Sequence, residues 1–266
     1  MDRYQKLFSM SKSKGEGVFI PFVVLGDPDP ATSLKIIEGL VENGADALEL
    51  GFPFSDPIAD GPVIQRAGQR ALGAGVRQED CFRIIKKIRK KFAGIPIGLL
   101  VYANLVLARG LAVFFRSAKK AGADSVLIAD APLLESAPFR RAAEQAGIDL
   151  VLVLPLHADR ETVAKVAGKS RGYLYLLSRK GVTGVDQEAG LPSRDLMQDL
   201  KNLNAAPPVL GFGVSIPEQV SAALEAGCRG VISGSAVVQR VEDYVTGKAP
   251  LEDLFAFIRK MKDATR

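Results

Sequence analysis

Histidine and cysteine are scarce in this sequence, one of the first and two of the second in 266 residues, and the scarcity removes whole classes of chemistry. A zinc site needs clustered Cys and His, and a Ser–His–Asp hydrolase needs a histidine with partners; neither set can be assembled. Cys81 and Cys228 form no CxxC pair, so two buried, reduced thiols in a cytoplasmic protein are expected. His157, the lone histidine, follows the fifth predicted strand as a loop or rim residue. No apolar run reaches the roughly 18 residues needed to cross a bilayer, and the N-terminal MDRYQKLFSMSKSKGEG lacks the apolar core of a signal peptide. A soluble, cytoplasmic protein with no membrane association follows. Charge is close to balanced: 35 basic against 30 acidic residues leave +5, too little to imply nucleic acid but suited to an anionic small substrate. The one dense basic run, Lys86, Lys87, Arg89, Lys90 and Lys91, lies beside Phe82, Ile85, Ile88 and Phe92 at helical spacing, which reads as a solvated helix face.

What is present is a repeated unit. NGADALELG, AGADSVLIAD, AGIDLVLVLP and AGCRGVISGS each join a helix-stopping glycine (Gly44, Gly122, Gly147, Gly227) to a short turn and an apolar run. Their spacing fits a unit of roughly 26 residues counted three, one and three times. Filling the gaps predicts eight strands, 18–24, 47–51, 95–102, 125–130, 150–155, 172–178, 208–213 and 230–234, separated by helical patterns such as ATSLKIIEGLVENG. That alternation predicts an α/β fold, one (β/α)8 TIM barrel domain over 1–266, with an extra N-terminal helix in DRYQKLFSMSK. A doubly wound sheet is the competitor, but the turn after the first strand, LGDPDP, has no GxGxxG. The intervals after strands two and six are oversized. Loops at that end of a barrel carry its active site, so function is sought there.

Strand alternation puts Ala47, Glu49 and Gly51 on one face and Leu48 and Leu50 on the other. The leucines suit the helices, which turns Glu49 into the barrel mouth. There lost hydration should raise its pKa into the range of an acid/base catalyst, unless a buried ion pair holds it. Asp60 precedes Pro62, a first-turn residue, so a helix cap competes with a functional role; Asp56 in FSDP reads as a turn or surface residue. Glycines in GVTG (181–184), GFG (211–213) and GSA (234–236) follow strands six to eight. Their backbone N–H groups, with Ser235 opening a helix, suit a phosphate.

Six strings, PFVVLGDP, ALELGFPFSDPIADGPVIQRA, GLLVYANLV, YLYLLSRKGVTG, GFGVSIPEQV and GVISGSAVV, resemble the tryptophan synthase alpha subunit family nearly end to end. The resemblance implies retro-aldol cleavage of indole-3-glycerol phosphate to indole and glyceraldehyde 3-phosphate. It implies Glu49 as acid/base and Asp60 as acceptor for the indole N–H. The indole pocket it implies is Phe22, Leu100, Leu127, Tyr175, Phe212 and Ile232. Phosphate would rest on Gly184, Gly213, Gly234 and Ser235, with Thr183 positioning Asp60 from the 179–192 loop. It implies no metal or cofactor in this chain, pyridoxal phosphate belonging to a beta partner in an α2β2 assembly, and Pro53, Asp56 and Asn104 facing that partner. Val24, Lys180 and Ala129 depart from the family's usual residues without removing a catalytic one. A stand-alone lyase and a non-catalytic subunit that activates its partner are the alternatives.

Overall fold

The computed structural model describes residues 1–178 and 190–266. In chain order its elements are α1 (Arg3–Lys14), β1 (Val18–Val24), α2 (Pro30–Glu42), β2 (Leu48–Gly51), α3 (Pro62–Gly73), α4 (Gln78–Lys91) and β3 (Ile97–Val101). There follow α5 (Ala103–Arg109), α6 (Leu111–Ala121), β4 (Ser125–Ile128), α7 (Ala137–Ala146), β5 (Asp149–Pro155), α8 (Arg160–Lys169) and β6 (Leu174–Leu177). The chain ends with α9 (Arg194–Asn202), β7 (Pro208–Gly211), α10 (Pro217–Glu225), β8 (Gly230–Ser233), α11 (Ser235–Val245) and α12 (Leu251–Asp263). The eight strands are parallel, and β8 pairs back with β1 to close the barrel. Closure leaves no sheet edge, and helices cover the outside, so β1, β2, β4 and β8 are buried along their whole length.

Local chemistry sets the boundaries. Asp2 caps α1 in a reciprocal pair with Gln5, and Gly15 ends that helix left-handed at φ 70. Asp29 accepts from the N–H groups of Ala31 and Thr32, with Pro30 opening α2. Gly122 and Gly147 stop α6 and α7 in the left-handed conformation, which a side chain would resist.

The oversized interval after β2 divides between the two sides of the barrel. Residues 52–61 form the loop at the mouth, and the remainder builds α3 and α4. Of the basic run on α4, four residues are solvated, but Arg89 is only 13% exposed and pairs with Asp124 at 2.7 Å. Its guanidinium also donates to the Gly122, Phe92, Ala93 and Ile95 carbonyls, tying α4 to the entry of β4. Both cysteines are free and buried. No helix among the described residues is long and apolar enough to cross a membrane.

The register determines what faces inward. From Phe22 on β1 it leads to Glu49, Gly98, Ser125 and Asp149 on β2 to β5. The small residues Gly98 and Ser125 leave space at the strand-entry end, and α1 fills it with Tyr4. This ring is 1% exposed, lies 5.4 Å from the Tyr173 ring, and its hydroxyl is 2.9 Å from Ser125 Oγ. A Cβ on Gly98 would approach that hydroxyl to 3.0 Å. Tyr4→Ala therefore leaves a cavity under the barrel, and an expected loss of about 3–5 kcal/mol should appear in urea unfolding.

Candidate active site

A cavity of about 520 Å³ occupies the strand-exit end of the barrel, and both Glu49 and Asp60 line it. Glu49 is 2% exposed. No ion pair forms on it among the described residues; its one polar contact is the Tyr173 hydroxyl, which donates to Oε1 at 2.7 Å. Burial pushes its pKa from the ordinary 4.5 up to about 7, and the Tyr173 hydrogen bond limits the rise. At neutral pH this group both holds and releases a proton readily.

Asp60 is half-buried in the loop after β2. The cap position of α3 falls to Gly61, with no side-chain cap bond, so helix capping does not account for Asp60. Burial raises its pKa to about 6, opposed by the nearby Tyr102 hydroxyl. That hydroxyl also accepts the Ala59 N–H at 3.1 Å, and the Tyr102 ring stacks on Phe54 with centroids 5.0 Å apart. Both carboxyls are thus raised by burial and restrained by a tyrosine hydroxyl, Glu49 on its strand and Asp60 in the loop that follows.

Phe22, Leu100, Leu127, Tyr175, Phe212, Gly213, Ile232, Gly234 and Ser235 all border the same cavity. Thr183 and Gly184 lie outside the described residues, as does Lys180. Two glycines make room for rings rather than for a ligand: a Cβ on Gly51 would sit 2.7 Å from Phe22, and one on Gly211 would sit 2.1 Å from Tyr175. Phe212 adopts φ 61, rare for a bulky residue, and Gly213 follows at φ 76. The Ser178 hydroxyl holds this turn by donating to the Phe212 carbonyl at 2.8 Å. At the next strand end Gly234 takes the cap position of α11, making Ser235 its first residue rather than its cap. The Val237 and Val238 N–H groups bond back to the Gly234 carbonyl, and Ser235 and Ala236, which open the helix, border the cavity.

The cavity also passes beyond the barrel wall. Ile128, Leu150 and Leu152, which face the helices, border it together with Phe139 of α7 and Val166 of α8. Asp130 borders it as well and accepts the Ala103 N–H at 2.7 Å, fixing the start of α5. Asn104 on that helix and Asp56 are exposed, whereas Pro53 is buried beneath its loop. His157 is exposed.

A family model described as "Tryptophan synthase alpha chain" matches residues 8–266. The chain belongs to the tryptophan synthase alpha chain family. It is 55% identical over 264 residues to the tryptophan synthase alpha chain of Shewanella baltica, covering 99% of this chain and 97% of that one. With the alpha chain of Escherichia coli it shares 52% identity over 267 residues and full coverage of both. Among solved structures, one from Pyrococcus furiosus described as a tryptophan synthase a2b2 complex superposes with a TM-score of 0.80 at 32% identity, over 92% of this chain and 97% of that one.

Tyr173 and Tyr102 escaped the sequence reading, because their contacts with the two acids depend on register and not on local motif. An alternation of aromatic residues in GYLYLL was the only signal available for Tyr173.

Burial of Glu49 has a measurable cost. Between about pH 4.5 and 7 the native chain keeps a proton that the unfolded chain has released. Native stability therefore falls as pH rises through that window. Glu49→Gln removes the penalty: urea unfolding should find the variant more stable than wild type by about 3 kcal/mol at pH 8, with the gap closing below about pH 4.5.

Proposed function

We propose that this chain cleaves indole-3-glycerol phosphate to indole and glyceraldehyde 3-phosphate, acting in the cytoplasm as the alpha subunit of an α2β2 tryptophan synthase. The observation that carries the reading is a desolvated, unpaired carboxyl that shares one apolar cavity with a second acid and a glycine-rich helix start.

Bond by bond, the reaction asks for two proton transfers and one hydrogen bond. Glu49, protonated, delivers a proton to C3 of the indole ring and becomes a carboxylate. The ring nitrogen takes up the positive charge this creates, and Asp60, ionised, accepts a hydrogen bond from its N–H. The carbon attached to the ring carries a hydroxyl. Its proton passes to the Glu49 carboxylate as the carbon–carbon electron pair returns to the ring. Indole and the aldehyde phosphate separate, and Glu49 regains its starting form. A pKa of about 7 suits a group that must give and then take a proton in one turnover.

The remaining lining follows the shape of the substrate. Phe22, Leu100, Leu127, Tyr175, Phe212 and Ile232 enclose the ring, and aromatic edges and aliphatic groups exclude water from the charged intermediate. Gly213, Gly234 and Ser235 hold the phosphate at the positive end of α11. Gly184 joins them, and Thr183 helps to position Asp60. Proton transfer of this kind calls on no cofactor in this chain; pyridoxal phosphate belongs to the beta subunit, which receives the indole. Asp56 and Asn104 face that partner, and the buried Pro53 shapes the loop between them and the cavity. Ile58, 74% exposed in the same loop as Asp56, and Leu107, 53% exposed on the same helix as Asn104, offer apolar area to such a partner. A purely partner-activating subunit would gain nothing from a carboxyl whose burial destabilises it.

Glu49→Gln and Asp60→Asn should each reduce indole formation by several orders of magnitude, with circular dichroism unchanged. Near-wild-type cleavage by either variant would sink the assignment. Adding a tryptophan synthase beta subunit should raise the cleavage rate strongly, and the two chains should co-elute on gel filtration. No rate change and no co-elution would instead indicate a stand-alone lyase.

A further inference from the structure

Four charged side chains outside the cavity form one connected cluster. Arg70 of α3 grips Asp27 with two hydrogen bonds, Nε to Oδ1 at 2.8 Å and Nη2 to Oδ2 at 2.9 Å. Its remaining nitrogen, Nη1, donates to Glu242 Oε1 of α11 at 2.8 Å. Arg66, one turn earlier on α3, closes a second fork on Glu242 through Nε and Nη2, both at 2.7 Å. Gln239 and the rest of α11 complete the shell, with Gln239 Nε2 3.3 Å from Glu242 Oε2. Two cations and two anions balance. Asp27 is 3% exposed, and the side chains of Glu242 and Arg70 are 11% and 20% exposed.

Clusters of this kind add little net stability, since desolvation consumes most of the Coulomb gain, but paired forks fix geometry. What these forks fix is the relation of two helices that both open on the cavity. α3 begins two residues after Asp60, and α11 begins at Ser235. The two helices pack on each other and on β1. Asp27, in the turn that follows β1, ties both to the barrel wall. Ile64 of α3 and Ala236 of α11 line the cavity, so any slide of one helix along the other reaches it directly.

We propose that the Asp27–Arg70–Glu242–Arg66 cluster is a spacing device. It sets the distance between Asp60, at the ring end, and the helix amides at the phosphate end, and so the length of ligand that can engage both. Arg70, which alone bonds to both acids, is the positioning residue. The inference rests on the functional reading above, because it takes the two ends of the substrate to lie at those two helix starts.

The distinguishing property of a spacing device is that ligands touching one end do not sense it. Arg70→Met should raise KM for indole-3-glycerol phosphate by about tenfold or more. Inhibition constants for inorganic phosphate and for indole, each filling one end, should stay within about twofold of wild type. Arg70→Lys, which keeps the charge but can bridge less well, should fall between. Equal weakening of phosphate and substrate would overturn the proposal in favour of a local effect on α11. Unchanged KM with a lowered urea midpoint would overturn it in favour of a structural role only. Should Arg70→Met not fold, Glu242→Gln, which keeps the side-chain shape and loses its charge, supports the same three-ligand comparison. Failure of the wild-type chain to cleave the substrate would count against the functional reading, whereas an unchanged ratio in an active enzyme would count against the spacing device.

Discussion

Glu49 is enclosed by the wall of a closed sheet, and a carboxylate so placed costs free energy whenever it is ionised. An open sheet would let water relieve that cost. A barrel does not, because each strand has a neighbour on both sides and α1 fills the strand-entry end with Tyr4. Small residues at Gly98 and Ser125 admit Tyr4 from below, Tyr4 supports Tyr173, and Tyr173 supplies the single hydrogen bond that keeps the acid titratable near neutrality. This buried carboxyl is thus poised by packing that begins at the far end of the molecule.

The same constraint explains which parts of the site were legible in the sequence. Period-two alternation in ALELG places Glu49 on the inner face whatever the rest of the chain does, and the structure agrees residue for residue. All eight predicted strands exist, yet several end earlier than their apolar runs. Tyr102, Ala129, Asp130, Ser178, Phe212 and Gly213 were read as strand, but they leave the ladder, and Ala129, Asp130, Phe212 and Gly213 line the cavity. Ala129 and Phe212 stay apolar on the cavity wall, so hydrophobicity alone could not mark the last paired residue.

Through-space relations were not legible. Asp60 could have been a cap or a ligand to substrate on sequence grounds; the structure assigns the cap position to Gly61. Gly51 read as an inward strand residue and Gly211 as part of a phosphate-binding run, but the lack of a side chain at each accommodates Phe22 and Tyr175. Phe212 at φ 61 carries no sequence mark at all, since only the Ser178 hydrogen bond and the neighbouring ring make that conformation tolerable. Arg89, one of five basic residues in a run that looked uniformly solvated, is distinguished by Asp124 and the backbone carbonyls lying opposite it.

The N-terminal helix has a consequence for molecular traffic. By filling the strand-entry end with Tyr4 and Phe8, α1 leaves the interior with no route through its base among the described residues. Substrate, aldehyde and aromatic product must all use the other end, past the loops that carry Asp60 and Asp130. A second protein seated over those loops would command every departure, and an uncharged aromatic product could cross between the two without meeting bulk solvent.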